Sequence, residues 1–218
     1  MYSITKLRAS DGTDKYEVHG GSSVYFLYPR PDGSIRCTCP GYRYNGRCKH
    51  QGLAPVSVIR YPLATMTRIA SQLLEELRPI GRMDVCGSVR RSAFTCKDLD
   101  FIVLANIPTW DSLIPELGRL HNGNWKVGKH GSELISGHIC GIPVDFTRVG
   151  AEREWPFMAL YRTGSRETNI RMRGRAKGWG WKLNERGLYD TDGSLIECED
   201  EEEIFSALDL KYLSPCER

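Results

Sequence analysis

The stretch CGSVRRSAFTCKDLDFIVL, residues 86–104, decides how the chain folds and what chemistry it can carry. Its second half continues into LDFIVLA (99–105), a nearly unbroken apolar run of the length expected for a strand buried on both faces. Two carboxylates, Asp98 and Asp100, open that run. In an extended chain, residues i and i+2 point to one side. Asp98 and Asp100 are therefore expected side by side, with Leu99 turned into the core. Like charges held that close repel unless a cation sits between them. Divalent ions that prefer oxygen ligands answer that need.

A third acid, Asp145, lies in IPVDFTRV, another apolar run. If the two strands are neighbours, three carboxylates converge. Such a cluster suits two ions roughly 3.5–4 Å apart, which activate an attacking hydroxyl and stabilise a leaving oxygen. Ten residues before Asp98 stands Gly87-Ser88. Glycine lets backbone N–H groups approach an anion, and serine adds a hydroxyl. Arg90 and Arg91 follow, and guanidinium groups suit phosphate oxygens. A phosphate cradle beside a metal site implies phosphoryl or nucleotidyl transfer. A bare Asp-x-Asp mostly marks turns or solvated faces; the combination carries the argument.

Around this centre the chain reads as three segments, 1–54, 55–150 and 151–218. In the first, VYFLY (24–28) and IRCTC (35–39) read as strands, with Asp32-Gly33 turning the hairpin between them. In the second, TMTRIASQLLEEL (65–77) carries Ile69, Leu73 and Leu77 at helical spacing. MDVCGSV (83–89) is a short strand running into a turn, and SLIPELGRL (112–120) is a short helix. SELISGHICGIPVDFTRV (132–149) is a hairpin turning near Cys140-Gly141. In the third, FMALYRTGS and EEEIFSAL (201–208) are helical, with the basic stretch ETNIRMRGRAKGWG between them.

Hydrophobic residues make up 40% of the 218 residues, so a packed core is the expectation and disorder is not. No run is long enough to span a bilayer, and no secretory signal is evident, so an intracellular location and no membrane partner are expected. The net charge is only +3, but residues 153–182 hold eight basic and two acidic residues, whereas residues 183–218 hold three basic and eleven acidic. A basic segment of this kind is compatible with a polyanionic partner, although charged residues crowd most exposed helices.

Of the eight cysteines, Cys37, Cys39 and Cys48 crowd together with His50 in the pattern Cys-x-Cys-x8-Cys-x-His. Three thiolates and an imidazole within fourteen residues suit one closed, tetrahedral, structural Zn²⁺. Such an ion supplies folding energy that a small segment lacks. The intervening PGYRYNGR reads as a polar loop. Tyr42, Arg43, Tyr44, Arg47 and Lys49 interleave aromatics with cations, as surfaces that bind single strands do; protein docking is the competing reading.

These motifs carry a family resemblance. Gly87-Ser88, Asp98, Asp100 and Asp145 resemble the nucleotidyltransferase palm. The chain from about Tyr61 onward, with LYRTGSRETNIRMRGRAKGWGWKLNERGLYD (160–190) and EEEIFSALDLKYLSPCER at its end, resembles family X DNA polymerases. The Cys/His cluster resembles a SWIM zinc finger. The resemblance implies an α+β fold: a palm with a mixed sheet and flanking helices (55–150), a small α/β thumb (151–218) and a β-rich finger (1–54). It further implies that Asp98, Asp100 and Asp145 hold two Mg²⁺ or Mn²⁺ ions, with Asp145 placed to accept the primer 3′-hydroxyl proton. Gly87, Ser88, Arg91, Tyr161, Gly164 and Asn169 would bind the deoxynucleoside triphosphate. Arg173, Arg171 and Lys177 would contact primer-template or gapped DNA, with Asn169 and Arg173 inspecting the nascent pair. The implied activity is primer extension by a monomer, with gap filling in repair as its role.

Three departures from the family pattern bear on this. Lys97 stands where glycine is usual before the first carboxylate. Arg162 replaces the phenylalanine of the Tyr-Phe pair, which bears on sugar selection. The family's lyase and fingers regions are not matched, and lyase activity is not carried over. A template-independent terminal transferase and a nucleotidyltransferase acting on RNA, a protein or a small molecule stay open. A nucleic-acid-binding module with an inactive palm is disfavoured by the presence of all three acids.

Overall fold

The computed structural model describes residues 2–8, 14–20, 22–29, 35–53, 60–120 and 125–218. The chain forms two compact units, Met1–Ile59 and Arg60–Arg218.

In the first unit, β1 (Tyr2–Arg8), β2 (Asp14–Gly20), β3 (Ser23–Pro29) and β4 (Ile35–Cys37) form an antiparallel sheet in sequence order. Leu27 pairs with Cys37 across β3 and β4, so the expected hairpin forms. Its Asp32-Gly33 turn lies outside the described residues. Tyr16, Val18 and Leu27 bury a small core against Cys37 and Cys39. The segment after Cys39 corrects the loop expectation: Pro40–Asn45 is a short helix, α1. Pro40 sits in its first turn, where a missing N–H costs nothing, and Cys39 Sγ caps it by accepting from Tyr42 N–H (3.3 Å).

The second unit is built on a five-stranded mixed sheet. A short ribbon pairs β5 (Tyr61–Pro62), which precedes α2 (Leu63–Glu76), with β7 (Thr95–Cys96), which leads into the sheet. The sheet strands are β6 (Met83–Val85), β8 (Leu99–Leu104), β9 (Trp125–His130), β10 (Leu134–Ile139) and β11 (Ile142–Val149), in the order β6-β8-β11-β10-β9. Only β8 and β11 run parallel. The hairpin of β10 and β11 turns at Cys140 and Gly141, both with positive φ (51° and 84°), as a tight two-residue turn requires. α3 (Gly87–Arg90) follows β6, and α4 (Ile107–Leu120) follows β8.

Alternation along β8 and β11 sorts the side chains. Leu99, Phe101 and Val103, with Val144 and Phe146, face the core built by α2 and α4. Phe101 and Phe146 are register partners, and their rings stack at 5.2 Å. Ile102 and Val149 face the opposite side, against α5 (Trp155–Thr163). The α2 face that is fully buried is Met66, Ala70 and Leu73, continued by Leu77 just past its end; Ile69 is only partly covered. Helix α4 starts five residues before the sequence reading placed it. Asn106 caps it through Thr109 N–H (2.9 Å), and Pro115 is tolerated on its exposed side.

Beyond α5 come α6 (Arg166–Gly178), a small sheet of β12 (Lys182–Asn184), β13 (Gly187–Tyr189) and β14 (Leu195–Ile196), and α7 (Glu201–Ala207). Phe157, Leu160, Met172, Ala176, Leu188, Ile204 and Phe205 form their common core. The basic stretch is thus a helix that buries only the stripe Thr168, Met172 and Ala176.

Phe146→Ala should destabilise this unit by about 3–5 kcal/mol, through lost burial and a cavity under Phe101. Urea denaturation monitored by circular dichroism would measure it.

Candidate active site

The register of β8 against β11 sets Asp145 directly beside Asp100. Both project from the sheet face that α5 covers further along, at Ile102 and Val149. Helix α5 leaves the carboxylate end of the strands open. Asp98 precedes β8 and is about one-third exposed, and Lys97 Nζ lies 4.0 Å from its Oδ2.

Gly87 opens α3 directly over Asp100. Its φ is +61°, and a β-carbon there would sit 2.0 Å from Asp100 Oδ2. Both backbone conformation and space therefore require glycine. Ser88 follows; its Oγ is buried without a hydrogen-bond partner among the described residues. A buried, unpaired hydroxyl is costly and marks a place where a ligand atom would be welcome.

An open cleft of about 540 Å³ is lined by Gly87, Ser88, Arg91, Asp98, Asp100, Tyr161, Gly164, Asn169 and Arg173. Arg162, Thr163, Arg166 and Ile170 complete the lining; of these the sequence points only to Arg162, at the position that departs from the Tyr-Phe pair. The signal for Arg166 and Ile170 was helical spacing: Arg166, Ile170, Arg173 and Lys177 form one stripe of α6 at i, i+4, i+7 and i+11. Arg171 lies about 100° or more around the helix from that stripe and does not line the cleft. Lys177 continues the stripe beyond it. Asp145 is not in the lining; it reaches the site through its register with Asp100.

The walls hold one another. Asn169 Nδ2 donates to Tyr161 O (2.9 Å), and the Arg173 guanidinium stacks 5.0 Å from the Tyr161 ring. Gly164 has φ +68°, its peptide to Ser165 is cis, and Ser165 Oγ caps α6 by accepting from Thr168 N–H. Arg91 donates to Thr163 O. Arg162 donates through Nε to Thr147 Oγ1 (2.6 Å), which holds its guanidinium toward the acids. Arg90, expected from sequence to serve phosphate, is turned away from the cleft and pairs with Glu201.

Burial pushes the Asp100 carboxyl up to about 6, reinforced by the charges of Asp98 and Asp145 and opposed by Arg162 and Arg91. Burial, with Asp98, also raises Asp145, against Arg162, Lys97 and Lys129. The cluster is short of positive charge, and its donors are all oxygens. That combination fits hard divalent ions such as Mg²⁺ or Mn²⁺.

The first unit carries a separate donor set. One ligand atom from each of Cys37, Cys39, Cys48 and His50 lies within 4.8 Å of the others, and Cys37 Sγ is 3.9 Å from His50 Nδ1. A tetrahedral zinc site needs ligand separations of about 3.5–3.8 Å, so the four atoms need only a slight contraction. Burial, with the neighbouring thiols, pushes Cys37 up to about 12. Burial acts the same way on Cys39, but the Tyr42 N–H and the neighbouring thiols outweigh it and hold that thiol below its usual value. Gln51 ties the site together by accepting from Cys48 N–H (2.7 Å) and donating to Ile35 O (2.8 Å).

Comparison with known proteins bears on most of the chain. Residues 158–218 match the DNA polymerase beta thumb. The chain is also 29% identical over 167 residues to the DNA polymerase/3′-5′ exonuclease PolX of Bacillus subtilis (strain 168), covering 72% of this chain. It spans 28% of the length of that relative. Among solved structures it shares its fold with Leishmania infantum polymerase beta in a ternary P/T complex, with a TM-score of 0.63 at 19% identity. That match covers 73% of this chain and 77% of the other. Residues 158–218 thus resemble the polymerase beta thumb, and the chain has a polymerase beta-like α+β fold. The SWIM likeness of the first unit receives no support from the comparisons.

Because the folded-state pKa of Asp100 is raised from 3.8 to about 6, its protonated form stabilises the metal-free fold at low pH. That contribution is full below about pH 3.8 and is lost as pH rises through about 6. In chelator, wild type should lose about 2 kcal/mol relative to Asp100→Asn between pH 4.5 and 7.5. Paired urea titrations at the two pH values would show it; a constant difference would contradict the assignment.

Proposed function

We propose that this chain is a DNA nucleotidyltransferase of the family X polymerase kind, extending a primer 3′-hydroxyl with deoxynucleotides. The observation that carries the reading is the single cleft in which paired acids face a Gly-Ser turn, an arginine and a thumb helix. Support also comes from the thumb match and from relatives named as DNA polymerases.

Asp98, Asp100 and Asp145 would hold two divalent ions, which when bound offset charge on the reacting oxygens. In this reading the protein's own side chains do the rest. Asp145 accepts the proton of the attacking hydroxyl. Ser88 Oγ and Arg91 bind triphosphate oxygens, a charge-assisted interaction with geometric selectivity. Tyr161 and Gly164 wall the sugar, and Gly87 gives the phosphates room. Asn169 and Arg173 read the minor-groove edge of the new pair. Arg171 and Lys177 meet the DNA backbone from neighbouring faces of α6. Gap filling in repair, by a monomer inside the cell, is the role that fits a chain of this kind.

A template-independent transferase is the second reading. It is favoured by Arg162, a cation tethered to Thr147 where the resemblance expects an aromatic. Primer extension with Mg²⁺ or Mn²⁺ on templated and untemplated ends separates the two. Asp100→Ala should reduce incorporation at least about 10³-fold while leaving DNA affinity within about 3-fold. No incorporation by wild type with either metal would sink both.

We further infer that Cys37, Cys39, Cys48 and His50 bind one structural Zn²⁺ and that the finger contacts DNA. Tyr44 is almost fully exposed beside the exposed Arg43 and Arg47, and stacking with cations is a sequence-tolerant way to hold a strand. Purified protein should contain one zinc per chain, and Cys48→Ser should lose it. Equal primer-template affinity in a chain of residues 60–218 would rule out the DNA role and leave the metal role standing.

A further inference from the structure

Among the described residues, no large apolar side chain is more exposed than Phe94, at 92%. It belongs to none of the apolar cores. Single exposed apolar side chains are common and by themselves mean little. What sets Phe94 apart is how firmly its loop is held. The loop runs from the end of α3 to β7, and its backbone is tied at each step. Ser92 N–H donates to Val89 O (2.9 Å) and Ala93 N–H to Ser88 O (3.0 Å). The carbonyl of Phe94 accepts from Leu63 N–H at the start of α2 (3.3 Å). Thr95 pairs with Pro62, and Arg60 donates to both Thr95 Oγ1 and Thr95 O (2.9 Å each). Ser92 has φ +55°, a left-handed conformation that serine adopts only where its surroundings impose it. The ring is thus presented to solvent from a fixed backbone, and a ligand stacking on it would lose little chain entropy.

The surroundings select the ligand. From Val85 to Lys97 the chain has no carboxylate, but it has three cations. Arg90 faces α7 and Arg91 lines the cleft. Lys97 is exposed three residues beyond the ring, sharing its charge with Asp98, and the exposed Arg60 lies against Thr95. A phenyl ring offers roughly 200 Å², whereas a stable protein interface buries about 800 Å² per partner. A protein partner would need far more than this loop. A nucleobase matches the ring in size, and its phosphates match the cations. The position fits as well. Ala93 is bonded to the carbonyl of Ser88, the residue whose hydroxyl lies unpaired in the cleft lining. Phe94 therefore stands at the rim of that cleft, on its Gly-Ser side.

We propose that Phe94 is a stacking platform for an unpaired base of the template strand, in the 5′ overhang beyond the pair being formed. Arg60 and Lys97 meet the phosphates on either side of that base. This deepens the polymerase reading above and rests on it, because an enzyme extending a primer leaves its unpaired bases on the template. Every base has a π-face, so the platform serves any template sequence.

The test measures affinity by fluorescence anisotropy for labelled DNAs that share one duplex. One is blunt, one carries a template 5′ overhang, and one carries the same overhang built of abasic sites. Phe94→Ala should weaken binding of the overhang DNA about ten-fold, with the blunt and abasic DNAs within about two-fold of wild type. Phe94→Trp should bind the overhang at least as tightly as wild type. Phe94→Leu, which keeps apolar bulk but has no ring, should resemble Phe94→Ala. The unfolding temperature should not fall in any of them, since the ring is exposed. Unchanged overhang affinity in Phe94→Ala would overturn the proposal. So would an equal loss on all the DNAs, or a loss of folding, either of which would give the ring a part in stability instead. The two readings fail differently. A wild type that binds none of these DNAs sinks the polymerase reading, whereas a wild type that binds them all and is matched by Phe94→Ala sinks only the platform.

Discussion

The parallel pairing of β8 with β11 is the constraint on which the second unit depends. One register places Phe101 against Phe146 on the core face and Asp100 against Asp145 on the other. Hydrophobic burial on one side of the pair holds two carboxylates together on the opposite side, where they would otherwise repel. Burial then raises both carboxyls, so the fold stores an electrostatic demand that a divalent ion can satisfy.

The rest of the site is arranged around that pair by a few close contacts. Gly87 lies so near Asp100 that no larger residue fits, which brings Ser88 and Arg91 to the acids. Asn169 and Arg173 both hold Tyr161, so the helix that would meet a base pair is fixed to the residue that would meet a sugar. Arg162 reaches across to Thr147 and supplies the acids with a partial counter-charge. The first unit is organised by a different principle, a small apolar core capped by four soft donors.

Much of the centre was legible in the sequence, because the relevant signals are local. The apolar run at 99–105 is a strand, the turn at Cys140-Gly141 is where the chemistry of turns puts it, and the Cys/His spacing brings four donors together. The misses have physical reasons. Strand β9 is a solvated edge, so WKVGKH shows no buried alternation. Helix α6 buries a narrow stripe of Thr168, Met172 and Ala176, too polar and too small to stand out against its charges. Helix α1 leaves no helical signal in the sequence because it is short and is capped by a cysteine sulfur. The partner of Arg90 lies 111 residues away, and no local pattern shows that of two adjacent arginines one faces the cleft and the other faces α7.

Strict alternation along β8 has an evolutionary consequence. Substitutions at Leu99, Phe101 and Val103 can drift among apolar side chains without touching the acids, because the two sets never share a face. Gaining or losing one residue within the strand is another matter. It would exchange the faces at a stroke, sending a carboxylate into the core and a phenyl ring to the cleft. The lineage of this protein should therefore show point changes in β8 and length changes only in the loops beyond it.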